Sequence, residues 1–231
     1  MKKFIVLLLS LTMLLAFTAC GGGGGESESS DAGESGTVEE EKAVDVEITE
    51  SGYSVGDDGY LTYGVVFHNP SEKDAYEFHK VIITAYDENG DVLATEEQVM
   101  NKIQPGETQA FSSIVDCNGQ TPDKVEFTPE SGDRIEPSDD AIKSSDLEIS
   151  GTNERVDEWD TAITGKVKNN SASDTDSVGV IVLFKNEGKI VGGNLTYIDN
   201  LNAGQEKAFE ISGYDVPEHD AYEVSAINWG F

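Results

Sequence analysis

The sequence predicts an all-β chain in which two tandem antiparallel β-sandwiches follow a cleaved export signal and a flexible tether. Three observations carry that expectation. No stretch of about 12 residues or more shows a helical period; apolar residues alternate at a period of two between Gly, Pro and Asn turns. A pattern of roughly 85 residues occurs twice. The chain opens with Lys2 and Lys3, an apolar run over 4–16 and then Phe17-Thr18-Ala19-Cys20, the layout of a signal peptide. The resulting division is 1–19 signal, 20–42 tether, 43–128 first sandwich, 129–144 linker and 145–231 second sandwich.

The apolar run is too short for a membrane span, which needs about 20 residues. Ala16-Phe17-Thr18-Ala19-Cys20 resembles the lipobox of bacterial lipoproteins, with Phe17 where leucine is usual. The resemblance implies that the Cys20 thiol receives a diacylglyceryl group and that cleavage falls on its amino side. An ordinary signal peptidase wants small residues one and three places before the cut, which bulky Phe17 does not offer. Two acyl chains hold a protein stably on a bilayer where one holds it marginally. The expected location is therefore the extracytoplasmic face of the cell membrane, with the membrane a partner through the lipid on Cys20. Residues 21–37 are nearly all Gly, Ser, Glu, Asp or Ala, a composition that cannot offset chain entropy by burying apolar surface. Such a tether holds the first sandwich on the order of 25 Å from the bilayer.

The formal charge of −30 repels phosphate backbones, whose recognition requires clustered Lys and Arg, so nucleic acid is excluded as a partner. With Cys20 lipidated, Cys117 is the one thiol left. No intrachain disulfide is then available, and Cys117 is expected to be a small buried hydrophobe.

The two copies align best at their turns. Ile103-Gln104-Pro105-Gly106-Glu107-Thr108-Gln109-Ala110-Phe111 answers Leu201-Asn202-Ala203-Gly204-Gln205-Glu206-Lys207-Ala208-Phe209. Each supplies an apolar residue, a Gly turn and a strand that delivers Phe inward. Upstream, Tyr86-Asp87-Glu88-Asn89-Gly90 is set against Phe184-Lys185-Asn186-Glu187-Gly188, and Asn69-Pro70-Ser71 against Asn169-Asn170-Ser171. Leu61, Tyr63, Val65 and Phe67 fall on one side of a strand, as do Ile163 and Val167, while residues 178–184 are apolar on both sides and suit the middle of a sandwich core. Asn89-Gly90 signals a hairpin.

This frame resembles the FxLYD family of small immunoglobulin-like β-sandwich domains in bacterial and archaeal envelope proteins. Ile83-Thr84-Ala85-Tyr86-Asp87 keeps the Tyr-Asp of the name motif, and Ile181-Val182-Leu183-Phe184-Lys185 keeps its Leu. The resemblance implies a surface module and carries no catalytic set.

No residue is assigned to catalysis, to a metal or to a cofactor. Gly52-Tyr53-Ser54-Val55-Gly56 matches the G-x-S-x-G elbow but leads into a strand where an elbow needs a helix. His68, His79 and His219 have no histidine counterpart in the other copy and no metal-ligand spacing, and are expected at turns or strand edges. Asp87, Asn89 and Asp91 are the best group for Ca²⁺, but an exposed hairpin explains them. Asp57-Asp58, Asp139-Asp140 and Asp174 with Asp176 are expected in solvated loops. Tyr86, Phe184, Phe111 and Phe209 are expected in the cores. The unrepeated Trp159, Trp229 and Phe231 are expected to close the last strand over the core rather than to form a binding patch. The function expected is a non-enzymatic cell-surface binding or spacer module with a protein or cell-envelope partner, its two rigid units in line and its recognition loops at 52–59 and 171–177. The alternatives are a surface enzyme, an accessory subunit of a surface enzyme or transporter, a solute-binding lipoprotein, and a Ca²⁺-modulated adhesion module.

Overall fold

The computed structural model describes residues 45–157, 160–213 and 216–230. The signal, Cys20, the tether, Trp159 and Phe231 lie outside the described residues. The first copy contains β1 (Glu47–Val55), β2 (Tyr60–His68), β3 (Ala75–Glu77), β4 (Lys80–Tyr86), β5 (Val92–Val99), β6 (Lys102–Ile103), β7 (Thr108–Asp116), β8 (Lys124–Glu130) and β9 (Asp133–Ile135). These pair antiparallel as β1-β2-β7, β5-β4-β8 and a short sheet β6-β3-β9. The period-two pattern decides which faces meet. Leu61, Tyr63, Val65 and Phe67 of β2 and Val81, Ile83 and Ala85 of β4 are fully buried in one cluster between the sheets.

The second copy contains a 3-10 turn (Ser144–Asp146), then β10 (Leu147–Val156), β11 (Thr161–Asn169), β12 (Thr175–Asn186), β13 (Lys189–Leu201), β14 (Glu206–Gly213) and β15 (Ala221–Asn228). Their orders, β10-β11-β14 and β13-β12-β15, repeat those of the first copy. Ile163 and Val167 enclose this core with Val178, Val180, Val182, Phe184 and Phe209. The paired asparagines are internal anchors. Asn69 and Asn169 are fully buried. Asn69 Nδ2 donates to the Asp74 and Gln104 carbonyls at 2.9 and 3.0 Å, and Asn169 Nδ2 to those of Ser173 and Leu201 at 2.8 and 3.1 Å. Each Oδ1 accepts the N–H of the serine two residues on, at 3.1 and 3.0 Å. These bonds tie the turn after β2 to the one after β6, and the turn after β11 to the end of β13.

Aligning Tyr86 with Phe184 is wrong by one residue. The Tyr86 carbonyl accepts the Asp123 N–H at 2.8 Å, and in the second copy the Lys185 carbonyl accepts the Asp220 N–H at 3.0 Å. Val81, Ile83 and Ala85 therefore correspond to Val180, Val182 and Phe184, which are the residues facing the second core. Tyr86 is not a core residue: it is half-buried, and its hydroxyl donates to Glu126 Oε2 at 3.1 Å. The turn glycines matched in sequence sit in loops of different length, because Asn186 pairs directly with Lys189 whereas Tyr86 pairs with Val92. A one-residue slip moves a strand residue to the opposite face.

The first copy also breaks where β12 runs straight through. Phe78 takes φ 60° between β3 and β4, an uncommon backbone for a bulky residue. Its N–H donates to the Asn101 carbonyl at 2.7 Å. The bulge turns the next residue inward, so His79 is fully buried, edge-on to Phe67 with ring centroids 5.1 Å apart. The strand-edge placement expected for this histidine is thus corrected.

The described residues belong to one compact unit, spanning Lys42–Phe231, and the copies lie face to face rather than in line. β12 is apolar on both sides because each side has its own partner. Val178, Val180, Val182 and Phe184 face the second core. Ile181 and Leu183 join Ile190 and Ile227 in a third cluster against Val66 and Ala110 of the first copy. Glycine permits this approach: a Cβ on Gly52 would sit 1.8 Å from the Ile190 carbonyl oxygen, and one on Gly64 2.5 Å from Leu183 Cδ2. Trp229 stacks on Phe111 at 5.8 Å and meets Tyr197 at 5.4 Å, packing against both the first core and the inter-copy cluster.

The segment expected as a linker, 129–144, is in large part structured. β8 continues to Glu130, β9 pairs with β3, and Ile142 is buried in the second core. Its far end is held by Glu107. Glu107 Oε2 accepts the Gln104 N–H at 2.7 Å and closes the Pro-Gly turn, while Oε1 accepts the Ser144 N–H and hydroxyl at 2.8 and 2.9 Å. Gln205 closes the matching turn through Oε1 and the Asn202 N–H at 3.0 Å.

Candidate functional site

Ser54 lies within β1, opposite Thr62, so the strand-to-helix turn of a nucleophile elbow is not formed there. Gly52 belongs to the contact between the copies. The loop expected at 52–59 is a strand as far as Val55, followed by a turn in which Asp58 Oδ1 accepts the Tyr60 N–H at 3.1 Å. Asp87 is committed to its own hairpin: Oδ1 accepts the Asn89 and Asp91 N–H groups, each at 2.8 Å, and Oδ2 accepts Asn89 Nδ2 at 3.2 Å. The Asp91 N–H and the Asn89 side chain hold its carboxyl below the usual range.

The histidines stand apart from one another. His68 Nδ1 meets the Thr108 hydroxyl at 3.2 Å on an exposed edge. His219 lies over Phe184, with Nδ1 2.7 Å from the Pro217 carbonyl and Nε2 2.9 Å from Glu154 Oε1. Burial pushes His79 down to about 4. Gln109 is the polar side chain beside the His79 ring and acts to raise its titration, but its Nε2 donates to the Lys102 carbonyl at 2.7 Å and no well-aligned hydrogen bond reaches either ring nitrogen. Cys117 is fully buried, and burial first, then Asp116 and Glu96, raises its thiol, the setting of an inert cysteine. Among the described residues no group of three His, Cys, Asp or Glu side chains is placed to hold a metal ion.

A concave feature lined largely by polar groups lies where the first copy, the end of β9 and the second copy meet. It is a cleft of about 300 Å³. On its floor, Asn101 Nδ2 donates to the Gly230 carbonyl, and Thr175 donates to Asn228 Oδ1 at 2.6 Å. Gln104 also lines it, 3% exposed, with an Oε1 that is buried and receives no hydrogen bond. Around the mouth stand the exposed acids Glu136, Asp140, Asp174 and Asp176. Lys102 is the one cation in this lining, and its Nζ lies 3.9 Å from Glu77. Other cations are also engaged: Lys80 with Glu97 and Glu130, Arg134 with Asp74, and Lys185 with Glu50 of the first copy and Glu223.

The loop at 171–177 that the sequence singled out does border this cleft, and Asp140, Asp174 and Asp176 are brought together there. Gln104 was not foreseen, because its counterpart Asn202 sits in a turn that stays exposed.

No protein-family model matches the chain, and no curated protein does. Among solved structures, Bacteroides uniformis β-glucuronidase 2, bound covalently to cyclophellitol-6-carboxylate aziridine, is 16% identical over 73% of this chain and 24% of its own, with a TM-score of 0.24. A β-glucuronidase from glycoside hydrolase family 2 is 11% identical over 75% of this chain and 21% of its own, with a TM-score of 0.23. The chain spans less than a quarter of the length of these proteins, and a likeness at such TM-scores says nothing about function.

Proposed function

We propose that this chain is a lipid-anchored extracytoplasmic protein of the bacterial cell membrane. Its two immunoglobulin-like sandwiches, similar to FxLYD domains, act there as one non-enzymatic binding or spacer module. The observation that carries the reading is Cys20, placed after a basic start and an apolar run and ahead of a Gly-rich acidic stretch. The strand orders support the finer fold: β1-β2-β7 and β5-β4-β8 correspond to A-B-E and C′-C-F of an immunoglobulin-like sandwich, and the second copy repeats them. Face-to-face packing of the copies suits a module that presents a fixed surface at the end of a flexible tether.

The test is metabolic labelling with an alkyne palmitate, combined with cell fractionation. Wild-type chain is expected to carry label and to stay with the membrane, and Cys20→Ser to lose label and appear in the soluble fraction. A Cys20→Ser chain that remains in the membrane fraction refutes the anchor.

A further inference from the structure

We infer that the contact between the copies is a directional recognition surface, a plug on one sheet face and a socket on another, and that charged side chains block its two free forms so that the stack ends at two. The plug is the outer face of β13-β12-β15, which carries Ile181, Leu183, Leu195 and Ile227. The socket is the outer face of β1-β2-β7, where Gly52 and Gly64 leave room and Val66 and Ala110 supply apolar cover. Plug and socket are different surfaces of the sandwich. The contact is therefore heterologous, and nothing in its geometry stops a third sandwich from joining at either end. Each copy has both faces, so the plug face of the first copy and the socket face of the second are left over, one at each end of the pair.

Strand register gives the residue that each leftover face holds at each position. Lys80, Ile82 and Thr84 of β4 stand where β12 has Gly179, Ile181 and Leu183. Glu97 lies opposite Ile82 as Leu195 lies opposite Ile181, and Glu130 opposite Lys80 as Ile227 opposite Gly179. Gly179, Leu195 and Ile227 thus become Lys80, Glu97 and Glu130, which form one ion cluster: Lys80 Nζ is 2.8 Å from Glu97 Oε2 and 2.9 Å from Glu130 Oε2. The leftover socket changes in the same sense. Counted back from the anchors Asn69 and Asn169, Gly64 and Val66 correspond to Thr164 and Lys166; Ser112, opposite Gly64, corresponds to Glu210, opposite Thr164. Thr164 puts a side chain where Leu183 comes close to Gly64, and Lys166 Nζ is held 2.8 Å from Glu206 Oε1. Covering either face with another sandwich would strip water from ions whose mutual attraction does not reliably repay that cost. A polar outer face on the terminal unit is what ends a stack of repeats.

A face merely made apolar is sticky and binds its own kind; a recognition surface binds the complementary face. Sedimentation velocity separates the two, on residues 20–231 with Cys20→Ser, which leaves both faces untouched and removes the need for detergent. Lys80→Gly, Thr84→Leu, Glu97→Leu and Glu130→Ile open the plug. Thr164→Gly, Lys166→Val and Glu210→Ser open the socket, each change writing in the residue that the other copy holds there. Wild type and each opened chain alone are expected to sediment as monomers, and an equal mixture of the two opened chains as a species of twice the monomer mass. A chain carrying both sets should form long oligomers. If an opened chain loses its strand signal in circular dichroism, Lys80→Ala and Thr164→Ala replace the two glycine changes, since glycine weakens a strand interior, and the same outcomes apply. Wild type that assembles as its concentration rises, an opened chain that associates with itself as strongly as with the other, or a mixture that stays monomeric overturns the inference.

Discussion

Removing the ring of His79 should flatten the acid limb of the stability curve. The ring is fully buried against Phe67, and burial, outweighing the upward pull of the Gln109 side chain, moves its titration from 6.5 in the unfolded chain to about 4 in the native state. The native state therefore binds fewer protons than the unfolded state between these values, and stability rises with pH across that window. The contribution is fully present above 6.5 and is lost as pH falls to about 4. At about 1.4 kcal/mol per pK unit, lowering the pH from 7.5 to 5 costs wild type about 2 kcal/mol through this one group, and reaching pH 4 costs about 3. Urea titrations of wild type and His79→Leu at each pH measure it. Leucine changes packing by an amount that does not depend on pH, and the chain's many carboxylates titrate alike in both proteins. The difference between the two curves thus isolates the imidazole. It should shift in favour of His79→Leu by about 3 kcal/mol between pH 7.5 and pH 4. Parallel curves would mean that the ring is solvated in the native state, and the account of the Phe78 bulge would fail with it.

The contact between the copies gives a second test: Gly52→Ala places a Cβ on the Ile190 carbonyl and should destabilise by about 3 kcal/mol in urea, because backbone must move; unchanged stability would mean the copies do not touch. Glu107→Ala removes the acceptor of three hydrogen bonds and should lower stability by about 2 kcal/mol while speeding hydrogen exchange at the Ser144 amide, an effect absent if the turn and the 3-10 segment are independent. Asn69→Ala and Asn169→Ala should each cost about 2 kcal/mol by removing several hydrogen bonds of a fully buried side chain; a neutral result in thermal denaturation would contradict the anchoring role. A fragment of residues 145–231 bares Ile181, Leu183, Ile190 and Ile227 and should bind anilinonaphthalene sulfonate, whereas the intact chain should unfold in a single transition.

Much of the strand plan was legible because burial on one face writes an alternating pattern. Leu61, Tyr63, Val65 and Phe67 point inward as that pattern required, and so do Ile163 and Val167. The repeat was legible at the asparagine and glycine turns, where few residues satisfy the backbone. The register of β4 against β12 was not, since glycines matched in sequence stand in hairpin loops of unequal length. Nor did the pattern distinguish a strand buried in the middle of one sandwich from β12, which gives one face to the second core and the other to the cluster between the copies. Of the candidate cleft, the loop at 171–177 was foreseen and Gln104 was not, because the cleft is lined by segments far apart along the chain.

The sequence by itself determined an all-β body, its duplication, its acidity and the special setting of Cys20, since each follows from local composition or from a period of two. The tertiary structure alone decided that the copies stack, that Gly52 and Gly64 are glycines for closeness rather than for turning, that His79 is buried, and that a polar cleft forms around Gln104. Those outcomes depend on which surfaces meet across long sequence separations, and hydrophobic burial, being non-directional, leaves no local mark that names its partner.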